Sequence, residues 1–248
     1  AHRLAHQDRS WVGRFSNIPN AACLPDLEDG LARGSVVIVG AGITGVLTAL
    51  SMARAGWRVT VVEGSHLGAG SSSRTAAGIR QQFSTPGTVA AMMFCVRYYQ
   101  ALGREIGEQV LVQNGYLFLE GPGGDLGAAR RRVEMQQSIG LSEVELLEGD
   151  DLFARFPWIE REFVIGGTHC PTDGFLHPHL IYNDGSRLAR EAGAVFVQKS
   201  PVIGAEHGPD GLSALVCAER RFSADLYIDC TNAWTRRTAQ WIGAADLP

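Results

Sequence analysis

The sequence predicts an α/β fold, a parallel sheet covered by helices and interrupted by a smaller α+β segment. Three observations predict it. Val36 to Val39 is a run of four apolar β-branched residues, the signature of a short buried strand. The glycine-rich turn Gly40-Ala41-Gly42-Ile43-Thr44-Gly45 then leads into a segment of helical periodicity. Arg58 to Glu63 alternates like a second strand and ends on an acid.

Each of these elements follows from its residues. Ile43, Val46, Leu47, Leu50 and Ala53 recur at the spacing that lays one helical face on a sheet, and Gly56 stops the helix. Gly40 permits the tight turn, Gly42 lets the backbone approach a pyrophosphate, and Gly45 lets helix and strand pack closely. Free N–H groups at the helix start, with the helix dipole, favour phosphate; Ile43 and Thr44 lie there. Glu63 stands where a carboxylate can accept both ribose hydroxyls of an adenosine. Strand, turn, helix, second strand and terminal acid together predict dinucleotide binding.

The next stretch, Gly64 to Ser73, is so rich in small residues that it reads either as a flexible linker or as a loop passing close to an extended cofactor. After it come Arg74, Ile79 and Arg80, spaced as Arg-x-x-x-x-Ile-Arg. Here the sequence resembles the D-amino-acid oxidase/sarcosine oxidase superfamily of FAD-dependent amine oxidoreductases, and most strongly the sarcosine oxidase β-subunit-like members. The resemblance implies a Rossmann-like FAD-binding domain of the glutathione-reductase type with an inserted α+β substrate domain. It implies FAD contacts from Gly64, Ser71, Ser72, Ser73, Arg74, Ala77, Gly78 and Ile79, and a substrate carboxylate on Arg80. Dimethylglycine dehydrogenase relatives carry a flavin-linking histidine just before Ala-Ala-Gly; Thr75 occupies that position here, which implies non-covalent FAD.

The chain has 248 residues, 45% of them hydrophobic, and can bury a sizeable core in one or two domains. Its net charge of −4 argues against a nucleic-acid surface, and no uninterrupted apolar run is long enough for a membrane span. Cys23, Cys95, Cys170, Cys217 and Cys230 are odd in number and lack CxxC spacing, so they read as scattered core residues in a reducing, cytoplasmic setting. Lys199 is the only lysine, which leaves a lysine-dependent mechanism almost without candidates. Residues 1–34 hold no apolar h-region and read as an N-terminal arm or tail.

Further on, Thr85-Pro86 supplies a cap and an N1 proline for a long helix carrying Val89, Met92, Met93, Val96, Tyr99, Leu102 and Ile106. Val110 to Gln113 and Tyr116 to Glu120 flank Asn114-Gly115 and predict a hairpin. A polar helix follows from about Asp125 to Ser138, with Arg130 to Arg132 on a solvated face. Short strands are expected at Val144 to Leu147 and Phe163 to Thr168, a short helix at Asp150 to Phe156, then a helix to Glu191 and a strand at Ala194 to Gln198. Leu226 to Cys230 reads as another buried strand, and Trp234, Thr238, Trp241 and Ile242 give the last helix an apolar face, ended by Gly243. His169, Cys170, Asp173, His177 and His179 lack metal-ligand spacing, so no metal site is expected.

The resemblance extends to the later segments. Asp173 to Pro178 resembles the Asp-Gly-x-x-x-Pro crossing back to the FAD domain. Val202 resembles a residue that holds adenine through its backbone, and Thr231-Asn232-Ala233-Trp234 resembles an Ala-Gly-Ala-Trp segment beside the cofactor, with Asn232 in place of glycine. The domain reading is therefore an arm over 1–34, an FAD-binding domain over 35–109 and 173–248, and part of a substrate-binding domain over 110–172. Family members continue well past this last residue, so a second chain or a C-terminal continuation is expected to complete the fold. The implied activity is oxidation of the C–N bond of a small amino acid or secondary amine, by hydride transfer to flavin N5. The alternatives are a non-catalytic flavin-binding assembly subunit and an NAD(P)-dependent enzyme sharing the opening motif.

Overall fold

The computed structural model describes residues 34–209 and 211–242; apart from Gly34, the expected N-terminal arm lies outside them, as do Cys23 and the Gly243 helix stop. In chain order, β1 (Ser35–Val39) turns at Gly40 into α1 (Ile43–Arg54), and β2 (Arg58–Val62) follows. A 3₁₀ turn at Ser71–Ser73 precedes β3 (Gly78–Ile79) and α2 (Pro86–Ile106), which begins with its N1 proline and ends at a left-handed Gly107. Next come β4 (Leu111–Val112), β5 (Tyr116–Glu120), α3 (Leu126–Ser138), β6 (Glu145–Glu148) and α4 (Gly149–Arg155). After β7 (Gly166–Cys170) and β8 (Gly174–Leu176), α5 (Pro178–Glu191) leads to β9 (Val195–Val197). The chain then forms β10 (Val202–Gly208), β11 (Gly211–Cys217), β12 (Arg221–Phe222), β13 (Leu226–Asp229) and α6 (Thr235–Trp241).

The described chain divides into two units, residues 34–76 with 177–242, and Ala77–Leu176. The first unit is organised by a four-stranded parallel sheet in the order β13-β1-β2-β9. The apolar run of β1 is buried on both sides, and alternation assigns each residue to one face. Val36 and Ile38 pack with Ala49, Leu50 and Ala53 of α1 and Ala189 of α5. Val37 and Val39 face the other way, onto Leu215 and Cys217 of an antiparallel β10-β11-β12 sheet. One face of the parallel sheet is thus covered by helices and the other by a second sheet, which is the Rossmann-like α/β arrangement expected. The β10-β11-β12 sheet itself was not anticipated. Leu226 to Cys230, expected as a buried strand, is instead half-buried with Leu226 exposed: among the described residues β13 (Leu226–Asp229) pairs only with β1, at the edge of the sheet.

In the second unit, β5-β7-β6 form one antiparallel sheet and β3-β8-β4 another. The Met/aromatic face of α2 is core: Val96, Met92 and Tyr99 pack with Ile79 and Leu111. The hairpin predicted around Asn114-Gly115 does not form. β4 pairs with β8 and β5 with β7. Gly115, at φ 80, donates its N–H to the Asp173 carbonyl, and a Cβ there would lie 2.7 Å from His169 Nε2. The turn is therefore pinned to a later part of the chain, which separates its two strands into different sheets. The arginine run of α3 is also more than a solvated face, since Arg130, Arg131 and Arg132 pair with Glu148, Asp125 and Glu120. The compact units divide at Ala77, where the sequence reading placed the boundary at 110; α2 lies in the second unit with its apolar face on Ile79 of β3 and Leu111 of β4.

Candidate functional site: a nucleotide-binding turn and an arginine held by aromatic rings

At β1 the strand order reverses, with β2 to one side and β13 to the other, and such switch points open a crevice at the carboxyl ends of the strands. The predicted cofactor residues of the first unit converge there. Gly40, at φ 99, takes its N–H to the Val62 carbonyl and lies against Cys230 and Thr231. Gly42 caps α1 without a side-chain bond, and a Cβ on it would come 2.9 Å from the Ser72 hydroxyl. The turn stays open only with glycine at that position. The Ile43 N–H donates to Ser72 Oγ at 3.0 Å, so a first-turn amide is directed at an oxygen acceptor, as phosphate binding at a helix start requires. Thr44 is exposed, and Gly45 is buried against the Gly40 carbonyl.

Glu63 does more than its position predicted. One carboxylate oxygen accepts the Ala41 N–H at 2.8 Å and the other accepts the Ser65 N–H at 2.8 Å. The acid thereby ties the glycine turn to the loop after β2, while each oxygen keeps a lone pair for a further donor. Its backbone carbonyl accepts from the Ser200 N–H and Gly64 lies beside Pro201, while Val202 follows as the first residue of β10, paired with Cys217. Ser71, Ser72 and Ser73 form the 3₁₀ turn and Arg74 caps it, exposed. Thr231 and Asn232 follow β13; Trp234 is 53% exposed, with its ring edge against Gly70. Asn232 sits at φ 54, the left-handed region that glycine takes freely and asparagine tolerates best among other residues. That accounts for asparagine where glycine was expected. Burial pushes the Cys230 thiol up, so the group beside Gly40 and Gly45 stays neutral and adds no negative charge to a phosphate site.

Ala77, Gly78, Ile79 and Arg80 belong to the second unit. Ile79 is core and Gly78 makes room for the Tyr116 hydroxyl. The Arg80 guanidinium carbon lies 4.6 Å from the Phe83 ring centre and 5.2 Å from that of Phe118, which itself stacks on Tyr116. His169 accounts for itself structurally: its Nδ1 is 3.0 Å from Glu145, which also binds Arg155. Among the described residues no group of three or more His, Cys, Asp or Glu is placed to hold a metal ion. None of the described helices is long and apolar enough to cross a membrane.

A parallel sheet, a glycine turn seated on a helix start and an acid closing the second strand define a dinucleotide-binding α/β protein. A family model described as FAD dependent oxidoreductase (DAO) matches residues 35–247, and the chain belongs to that family. The FAD-dependent oxidoreductase domain-containing protein 1 homolog of Drosophila melanogaster is 30% identical over 184 residues, 71% of this chain and 35% of its own length. Mitochondrial dimethylglycine dehydrogenase of Mus musculus is 25% identical over 237 residues, 94% of this chain and 27% of the relative. Among solved structures, L-proline dehydrogenase from P. horikoshii superposes with a TM-score of 0.78 at 27% identity, covering 85% of this chain and 56% of that one. The chain thus spans well under half the length of these two curated relatives. Family membership decides the cofactor in favour of FAD over a nicotinamide, and the open turn at Gly42 and the Ser72-directed amide fit that group.

Proposed function

We propose that the whole protein oxidises the C–N bond of a small amino acid or secondary amine, with FAD as acceptor and Arg80 as the residue that binds the substrate carboxylate. The observation that carries the amino-acid reading is the setting of Arg80. Two aromatic rings lie against the guanidinium carbon, and among the described residues the group forms no ion pair. Contact with rings leaves its N–H donors unspent, so the fork remains for a carboxylate. Two relatives support the same substrate class, since their names give dimethylglycine and L-proline, both carboxylates with a substituted nitrogen.

The residues of this chain have distinct tasks in that reading. The Gly40–Gly45 turn and the start of α1 would receive the pyrophosphate, Glu63 would brace the turn and meet the ribose, and Val202 would face the adenine. Non-covalent retention is expected, since Thr75 offers no imidazole for a histidyl link. When bound, FAD supplies the two-electron acceptor that C–N oxidation needs. The second-unit aromatic residues keep Arg80 ready for the substrate, and a companion chain or continuation would supply the remainder of the fold.

Anaerobic mixing of the whole flavoprotein with candidate amines tests the proposal. Sarcosine, proline or glycine should bleach the flavin absorbance, and the matching amines without a carboxylate should do so far more weakly. Absence of bleaching with every amine would leave a non-catalytic flavin-binding subunit as the better reading.

A further inference from the structure

Arg80 is the first residue beyond β3, and the register of β3 on β8 (Ile79 opposite Gly174) sets it opposite Asp173. Asp173 is fully buried, with 0% exposure, and among the described residues no cation pairs with it. Burying a carboxylate without a cation is costly unless hydrogen bonds replace its water. Here they do. Asp173 Oδ1 accepts the Gln81 backbone N–H at 2.7 Å and the Gln81 side-chain amide at 3.2 Å, and Oδ2 accepts the Gln82 amide at 3.0 Å. The same Gln82 amide reaches the Tyr116 carbonyl at 3.1 Å, and Gln136, 3% exposed, donates to the Phe83 carbonyl at 2.8 Å. Every residue from Gln81 to Phe83 is thus gripped by a hydrogen bond, and this segment follows directly on Arg80.

Asp173 can occupy this position because of its neighbour. A Cβ on Gly174 would overlap the Val112 carbonyl, so the chain enters β8 closely packed between β3 and β4. The main chain of Asp173 is held as well, with its carbonyl accepting from Gly115. A carboxylate fixed at both main chain and side chain is a rigid post. An apolar side chain here would leave the Gln81 backbone N–H and the two glutamine amides without this acceptor, so the carboxylate organises the segment that follows Arg80.

We propose that Asp173 is a positioning residue for Arg80. Its buried carboxylate clamps Gln81 and Gln82, and through them sets the direction in which the guanidinium presents its fork from between Phe83 and Phe118. The inference rests on the reading of Arg80 as the carboxylate-binding residue.

The test is propionate binding to the whole flavoprotein, with propionamide as the neutral probe, followed by ligand-observed NMR. Asp173→Asn should weaken propionate at least tenfold and leave propionamide unchanged, with FAD content retained. In an Arg80→Ala background the same substitution should have no further effect on propionate, whereas a general loss of structure would add its own penalty. Gln82→Leu, which keeps the buried volume and removes both hydrogen bonds, should weaken propionate several-fold and carries the test if Asp173→Asn does not fold. The two readings fail differently. If Arg80→Ala leaves propionate binding unchanged, the assignment of Arg80 is wrong. If Arg80→Ala abolishes binding while folded Asp173→Asn or Gln82→Leu retains it, Asp173 does not position the arginine.

Discussion

Gly45 on the first turn of α1 lies directly against the carbonyl of Gly40, and a Cβ at Gly45 would overlap that oxygen. The contact fixes the distance between helix start and strand end, and so the shape of the turn that receives the nucleotide. Gly45→Ala must push α1 away from β1, an overpacking cost of about 1–3 kcal/mol. We expect a lower melting temperature and a flavin-to-protein absorbance ratio well below that of the parent. Thr44→Ala, at an exposed neighbour, should change neither.

Glu63 braces the same turn through two backbone N–H groups, those of Ala41 and Ser65. Hydrogen bonds to a charged acceptor contribute about 1.5–3 kcal/mol each when removed. Glu63→Ala should therefore lower stability by at most about 3–6 kcal/mol, less in so far as the Ser65 bond is exposed, and also weaken FAD retention, rather than loosen the adenosine end alone. Glu63→Gln keeps one carbonyl acceptor and should fall between. Urea midpoints with and without added FAD separate the two effects.

Acid precipitation should release yellow FAD into the supernatant, because Thr75 leaves this segment without a histidyl attachment. A pellet that stays yellow after proteolysis to a peptide containing Thr75 would contradict non-covalent binding here.

Asp173 gives stability a definite pH sign. Burial raises its carboxyl above the ordinary value of 3.8, and hydrogen bonds from Gln82 and Gln81 only partly offset this. Cys170, pushed up to about 11 by burial, faces the same carboxylate as a neutral thiol. In the window between 3.8 and the raised value, the folded protein holds a proton that the unfolded chain has released. Its contribution to stability therefore falls as pH rises through that window and is level above it. Asp173→Asn removes the dependence. The stability difference, variant minus parent, should shift towards the variant as pH rises from about 3.5 to about 6.5, read from urea midpoints. A difference that does not change with pH would show that this carboxyl does not titrate with folding.

These sites were unequally legible in the sequence. Residues 35–63 announced themselves because strand, glycine turn, helix and acid are consecutive, so local periodicity carries the whole unit. The Asn114-Gly115 turn misled for the opposite reason. Its turn chemistry is local, but its strands find partners 46 to 65 residues later, in β7 and β8. The β10–β11 pairing has a local signal in the sequence, Gly208-Pro209-Asp210-Gly211, but no alternating apolar pattern beside it strong enough to mark a second sheet. Gln136 gave no signal at all, since a glutamine in a polar helix looks like any solvated residue until its amide is found on the Phe83 carbonyl. The sequence shows Asp173 in a crossing motif and in a His/Cys/Asp set without metal-ligand spacing, but not its burial without a counter-ion, which is a tertiary property.

Arg80 is the residue on which the amino-acid reading depends, and its setting makes arginine and lysine unequal there. The guanidinium carbon lies 4.6 Å from the ring centre of Phe83 and 5.2 Å from that of Phe118. A planar, weakly hydrated cation gains from both faces and still offers two parallel donors to a carboxylate. Lysine in the same place keeps the charge but loses the fork and most of the stacking. Arg80→Lys should therefore raise KM for an amino-acid substrate by roughly one to two decades, a loss of about 1.5–3 kcal/mol of binding. FAD content should be unchanged, because Arg80 is asked only to bind substrate. Phe118→Leu should produce a smaller change of the same kind by removing one of the two faces. The informative comparison is an amino acid against the same amine without its carboxylate. Arg80→Lys should penalise the first and spare the second, which separates a carboxylate anchor from a residue that merely supports the fold. If both substrates weaken equally, the guanidinium does not meet the carboxylate and the aromatic faces serve only to pack an exposed arginine.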